Sequence, residues 1–181
     1  MRIFLTLFVA IFLWLVSKAK KPNIVIIFTD DQGYADLGCY GSKTNKTPRL
    51  DQLAKDGTMF TSFYTQAVCG PSRSALLTGR YPCRSKGWGM PASEITFAEL
   101  IKGAGYQTAC IGKWDVSNRK PIIDRMPNAQ GFDYFFGALG ANDPGTIKFH
   151  LNNEAAGTSK DMGGLTTLYT DKSIDFLKNK R

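Results

Sequence analysis

The chain has 181 residues, 43% hydrophobic and 21% charged, a balance that allows one domain with its own core and excludes a disordered or low-complexity protein. Its formal net charge of +8 at pH 7 points toward polyanionic partners. The lysines and arginines are scattered and fall in no nucleic-acid-binding motif, so we expect no nucleic acid among those partners.

Arg2 precedes an apolar run from Ile3 to Val16, and Ser17-Lys18-Ala19 supplies small residues where a signal peptidase reads. The run is shorter than the roughly 20 residues of a membrane span. We therefore expect residues 1–19 to be a signal peptide, residues 20–181 to be the exported domain, and the location to be secreted or periplasmic. An uncleaved signal is the only membrane attachment this reading allows. Removing it leaves an excess of about +6, which in that compartment suits a sulfated polysaccharide. The four cysteines, Cys39, Cys69, Cys83 and Cys110, could form two disulfides with three pairings.

Asn23 to Thr29 is a continuous β-branched and aromatic run, the pattern of a strand buried on both faces of a parallel sheet. It ends at Asp30-Asp31, where the site of an open α/β sheet would lie. Thr47 as N-cap, Pro48, an apolar face of Leu50, Leu53 and Ala54, and Gly57 as a stop predict a short helix. Thr58 to Gln66 reads as a second strand that delivers Cys69 to the same edge. Pro71 is expected to start a helix whose free first-turn N–H groups suit a sulfate or phosphate. Thr96 and Glu99 form a capping box for a helix ending at Gly103 and Gly105. Tyr106 to Ile111 reads as a third strand, followed by Gly112-Lys113-Trp114. Residues 117–164 read mostly as loops with one strand at Phe132 to Phe136, His150 as a loop or surface histidine, and Thr170 to Lys180 as a last helix. Alternating strands and helices predict an α/β fold with right-handed crossovers.

Paired carboxylates at a strand end repel unless a cation neutralises them. With one histidine in the chain, hard oxygen donors favour calcium or magnesium over zinc.

The stretch Cys69-Gly70-Pro71-Ser72-Arg73, continued by Leu77-Thr78-Gly79-Arg80, resembles the signature of the type I sulfatases, Cys-x-Pro-Ser-Arg-x-x-x-Leu-Thr-Gly-Arg, at every fixed position. Asp30-Asp31-Gln32-Gly33 is similar to that family's Asp-Asp-x-Gly metal motif, and Gly105-Tyr106-x-Thr108 to Gly112-Lys113-Trp114 resembles its second signature. The resemblance implies an alkaline-phosphatase-like sheet with flanking helices and hydrolysis of sulfate esters. It implies that Cys69 is converted to formylglycine by a formylglycine-generating or anaerobic maturase, and that its hydrated aldehyde is the nucleophile. It further implies that Asp30, Asp31 and an oxygen of residue 69 bind calcium, with magnesium as the alternative. Arg73 and Lys113 would hold the nucleophile and the sulfate. Arg80 would close its helix and brace the site.

The family pattern continues with histidine, leucine and glycine, where this chain has Asp115-Val116-Ser117, so Asp115 is expected to take a different part. The resemblance covers residues 22–181 and only the amino-terminal portion of a sulfatase. The implied expectation is a half-built metal site and an isolated chain with little or no activity. A phosphodiesterase or phosphonate hydrolase of the same superfamily, or a non-catalytic polyanion-binding protein, are the competing readings.

Overall fold

The computed structural model describes residues 21–141 and 145–179, so the signal peptide expected over residues 1–19 lies outside them. In chain order the helices are α1 (Pro48–Asp56), α2 (Cys69–Thr78), α3 (Pro82–Ser85), α4 (Phe97–Gly103) and α5 (Leu165–Asn179). The strands are β1 (Ala109–Ile111), β2 (Tyr134–Ala138), β3 (Ile147–Leu151) and β4 (Glu154–Ser159). Among the described residues no helix is long and apolar enough to cross a membrane.

The four strands form one sheet in sequence order. β1 and β2 pair in parallel, with Cys110 opposite Phe135, while β3 and β4 add antiparallel neighbours. The sheet is therefore mixed. α4 is set by the expected capping box: Thr96 Oγ1 accepts from the Glu99 N–H, and the Glu99 carboxylate accepts from the Thr96 N–H at 2.7 Å. The core has two parts on opposite faces of β2, as a strand's period of two requires. Phe135 packs with Trp114, Val116, Met126, Phe132 and Leu139, whereas Phe136 packs with Ile147, Phe149 and Leu165 of α5.

Several sequence expectations are corrected. Asn23 to Thr29 forms no strand, and Ile24, Val25, Ile26 and Ile27 are exposed. Thr58 to Gln66 likewise joins no sheet; its backbone is tied instead by the Tyr34 and Tyr40 hydroxyls, which donate to the Thr61 and Phe60 carbonyls. A β-branched run becomes a strand only where a neighbour satisfies its N–H and C=O groups, and β1 lies at an edge of this sheet. The third strand is shorter than expected, and that at Phe132 to Phe136 is shifted to Tyr134–Ala138.

The stretch read mostly as loops holds the β3–β4 hairpin, closed by Asn152 in the left-handed region at φ 52°. Asparagine tolerates that conformation better than most residues. Asn152 is also a brace, because its Oδ1 accepts from the Phe135 N–H at 3.0 Å. His150 sits half-buried on β3 and is not a loop residue. α5 begins at Leu165, ahead of the expected Thr170; of its expected apolar residues Phe176 stacks on Tyr134, while Ile174 and Leu177 are exposed.

α1 starts at Pro48 and stops at Gly57 as expected, but Thr47 caps no helix N–H with its side chain. Its hydroxyl donates to Asp51 Oδ1 at 2.9 Å and accepts from the Gly38 N–H at 2.8 Å. Leu50 and Leu53 are exposed, so α1 buries no apolar face in the described structure.

Candidate active site

β1 carries its pairing with β2 beyond its own end. The Gly112 N–H donates to the Phe136 carbonyl at 2.9 Å, the Trp114 N–H to Ala138 at 2.8 Å, and the Asp115 N–H to Leu139 at 3.2 Å. This extended pairing gives residues 113–115 a strand-like alternation. Trp114 turns into the core, buried to 2% exposure, where its ring meets Phe132 edge-on and its Nε1–H donates to the Arg125 carbonyl. Lys113 and Asp115, also buried, are left together on the other side.

α2 presents Cys69 to the same place. The helix starts two residues earlier than Pro71, with Val68 as N-cap and Cys69 as its first residue. Cys69 therefore lies at the positive end of the helix dipole. Ser72 fixes the approach to the helix, since its Oγ accepts from the Gln66 N–H at 3.1 Å and lies 2.9 Å from the Val68 carbonyl. Gly70 is required by a close approach: a Cβ there would lie 2.0 Å from Cδ1 of Trp88.

Four of the five expected site residues meet. Lys113 Nζ donates to Asp30 Oδ2 at 2.8 Å and hydrogen-bonds the Cys69 side chain. Arg73 Nη1 donates to the Lys113 carbonyl at 2.7 Å, and its guanidinium stacks over Phe28 at 5.3 Å. The Nε–H of Arg73 is buried without a hydrogen-bond partner among the described residues. Asp31 follows Asp30 in the left-handed region at φ 54° and is exposed; among the described residues it makes no hydrogen bond or ion pair. All four cysteines are free, so Cys69 is locked in no disulfide.

Burial by itself would push the Lys113 ammonium down. Hydrogen bonds to Asp30 and Cys69 and the charges of Asp30 and Asp115 outweigh that cost and hold it above the ordinary lysine value. Lys113 is therefore a cation at neutral pH. Burial pushes the Cys110 thiol up to about 12, with Arg73 pulling the other way, so this second cysteine near the sheet is chemically quiet.

For a metal, Asp30 and Asp31 offer hard carboxylate oxygens of the kind calcium and magnesium take. Among the described residues no group of three His, Cys, Asp or Glu side chains gathers as a metal cage. The two aspartates fit a hard cation as contributors to a ligand set, with Asp30 shared with the Lys113 ammonium.

Three residues at this site had little or no sequence signal. Trp88 donates its Nε1–H to Asp115 Oδ2 at 3.1 Å, and nothing in Lys86-Gly87-Trp88-Gly89 announces that contact. Arg119 Nε donates to Asp115 Oδ1 at 2.9 Å, a pairing that acid and base four positions apart could have suggested. Glu94 accepts both hydrogen bonds of the Arg80 Nη1 group at 2.8 Å, which braces the end of α2.

The sulfatase family model matches residues 22–181. Human arylsulfatase A is 46% identical over 141 residues, covering 72% of this chain and 28% of that protein. Human steryl-sulfatase is 42% identical over 155 residues, covering 74% of this chain and 26% of its own length. The chain thus spans about a quarter of the length of these curated relatives. Among solved structures, Ps i-CgsB in complex with k-i-k-neocarrahexaose superposes with a TM-score of 0.78 at 29% identity, over 88% of this chain and 42% of that one. A sulfatase described under the metabolism of multiple glycosaminoglycans by Bacteroides thetaiotaomicron gives a TM-score of 0.66 at 33% identity, over 77% of this chain and 32% of its own. The α/β arrangement expected from the sequence is the one these enzymes share, and this chain belongs to the sulfatase family.

Proposed function

We propose that this chain carries the nucleophile and the sulfate clamp of an exported sulfatase acting on sulfate esters of a sulfated polysaccharide. One observation carries the reading: Cys69, at the start of α2, touches a buried, charged Lys113 whose own carbonyl holds Arg73. A helix N-terminus and an ammonium lie at that side chain, and the guanidinium is anchored to the Lys113 backbone beside them. That is the electrostatics a tetrahedral dianion needs.

The residues divide the work by chemistry. Arg73 offers a forked, permanently charged donor, and its unpartnered buried Nε–H is a hydrogen bond waiting for an acceptor. Lys113 neutralises a second oxygen and, through Asp30, keeps its ammonium aimed at residue 69. Phe28 covers one face of the guanidinium and limits its contact with water. A hydrated aldehyde at position 69, made from the thiol by an oxidising maturase, supplies an oxygen nucleophile when formed. A calcium ion, or magnesium, held by Asp30, Asp31 and the residue-69 oxygen would neutralise charge on the sulfate. The solved relatives bound to k-i-k-neocarrahexaose or described under glycosaminoglycan metabolism, and the excess of about +6 left after removal of residues 1–19, support a polyanionic polysaccharide as the substrate class.

The test is co-production with a formylglycine-forming maturase, followed by intact mass of the peptide containing residue 69 and calorimetric titration with inorganic sulfate. We expect conversion of Cys69 and sulfate binding that Arg73→Ala weakens about tenfold, the worth of one charge-assisted contact. An unmodified cysteine together with no sulfate binding would overturn the reading.

A further inference from the structure

Asp115 is a carboxylate that the sulfate clamp does not use. It is fully buried beside the group that would bind an anion, where an extra negative charge works against that binding. Its contacts account for its presence. Oδ1 accepts from Arg119 Nε at 2.9 Å; Oδ2 accepts from Trp88 Nε1 at 3.1 Å, lies 3.6 Å from Lys113 Nζ, and accepts from Cys69 Sγ at 3.3 Å. A buried carboxylate persists only with counter-charge and filled lone pairs, and Arg119 and Lys113 supply the charge. The remaining contacts are the Trp88 indole and the thiol.

These contacts form a closed ring. Trp88 holds Asp115, Asp115 holds Cys69, and the residue after Cys69 is the glycine against which the Trp88 indole is pressed. A rotation of any one side chain breaks two contacts at once. Such mutual locking is what fixes a reacting group to the tolerance catalysis requires.

We infer that Asp115 is the positioning residue of side chain 69: its Oδ2 accepts the hydrogen bond of whatever protic group that residue carries, the thiol before oxidation and a hydrate hydroxyl after it. The first half stands on the contacts alone. The second half rests on the proposed conversion of Cys69. In it, the carboxylate favours the hydrate over the free aldehyde, because only the hydrate has an O–H to donate.

Two measurements on the 181-residue chain test the halves separately. The S–H stretching band of Cys69, isolated as the Raman difference from Cys69→Ala, is expected at a hydrogen-bonded frequency. It should move toward the free-thiol frequency in Asp115→Leu, and part of the way in Asp115→Asn, which keeps a neutral acceptor. Trp88→Phe leaves the carboxylate but releases Oδ2, and should broaden the band. A free-thiol band in the unsubstituted chain, or one unmoved in folded Asp115→Asn, overturns the inference.

After co-production with the maturase and carbon-13 labelling of residue 69, the ratio of hydrate to aldehyde is expected to fall about tenfold in Asp115→Leu, and less in Asp115→Asn. An unchanged ratio overturns the second half. If residue 69 stays a cysteine the proposed conversion fails, and the second half with it, while the Raman band still decides the role of Asp115 toward the thiol.

Discussion

Lys113 Nζ and Asp30 Oδ2 lie 2.8 Å apart, and this ion pair bridges two segments that share no strand pairing. The Lys113 side chain is 5% exposed and that of Asp30 38%, so the lysine is the buried member and the aspartate its access to solvent. The pair therefore does for the Asp30 loop what a sheet ladder would otherwise do.

Replacing Asp30 by asparagine removes the first of the contacts that hold the Lys113 ammonium up against the cost of burial. Its proton should become easier to lose, since a fall of one unit exposes about ten times more free amine in the alkaline range. Acylation of Lys113 near pH 9, followed by peptide mass mapping, should run severalfold faster in Asp30→Asn than in the unsubstituted chain. Equal rates would mean that Asp30 does not set the state of the lysine.

Glu94 is buried and meets Arg80 Nη1 through both carboxylate oxygens. Arg80 is about half-exposed, so solvent screens part of the attraction. We expect Glu94→Gln to cost about 1–2 kcal/mol, read as a lower urea midpoint with an unchanged slope. Arg80→Ala should cost at least as much, because it leaves the buried carboxylate alone.

Acid should destabilise the fold in two stages. Burial holds the His150 imidazole below its usual 6.5, so the unfolded chain binds that proton first and stability falls as pH drops from 6.5 toward the folded value. The Lys102 contact, against the cost of burial and with help from Thr108, holds Asp133 below its usual 3.8, so its contribution is present above 3.8 and is lost as pH falls through the folded value. Unfolding midpoints against pH should lose the first stage in His150→Phe and the second in Asp133→Asn. The Asp133 stage should be shallow, because that side chain is 37% exposed.

Val25, Ile27, Phe63 and Tyr64 are each at least 66% exposed, a density of apolar surface that soluble monomers rarely carry. The 181-residue chain should bind a hydrophobic dye and self-associate. Val25→Lys with Ile27→Lys, and separately Phe63→Ser with Tyr64→Ser, should each lower dye binding and shift sedimentation toward monomer. Neither pair lies among the residues assigned to the sulfate clamp.

The site was more legible in the sequence than the sheet. Cys69, Arg73 and Lys113 are marked by their resemblance to the sulfatase signatures, and they come together although, of the three strand ends expected to converge there, only that of β1 belongs to a strand. Asn23 to Thr29 misled because hydrophobicity and β-branching report a preference for a buried strand and say nothing about which neighbour completes it. The β3–β4 hairpin was missed for the opposite reason: Glu154 to Ser159 is small, polar and exposed, and it is held by register with β3 more than by any propensity of its own. Trp88 was invisible because its role depends on contacts across 18 and 27 positions, to Gly70 and Asp115.

Trp114 sits between Lys113 and Asp115, its ring in the core while the ammonium and the carboxylate on either side meet Cys69. Those three consecutive residues tie the interior to the groups around Cys69, so thermal robustness and the placement of those groups are not independent properties of this chain. A stabilising redesign that resizes the indole would swing both flanking charges with it, and libraries meant to toughen the protein should leave this tripeptide untouched.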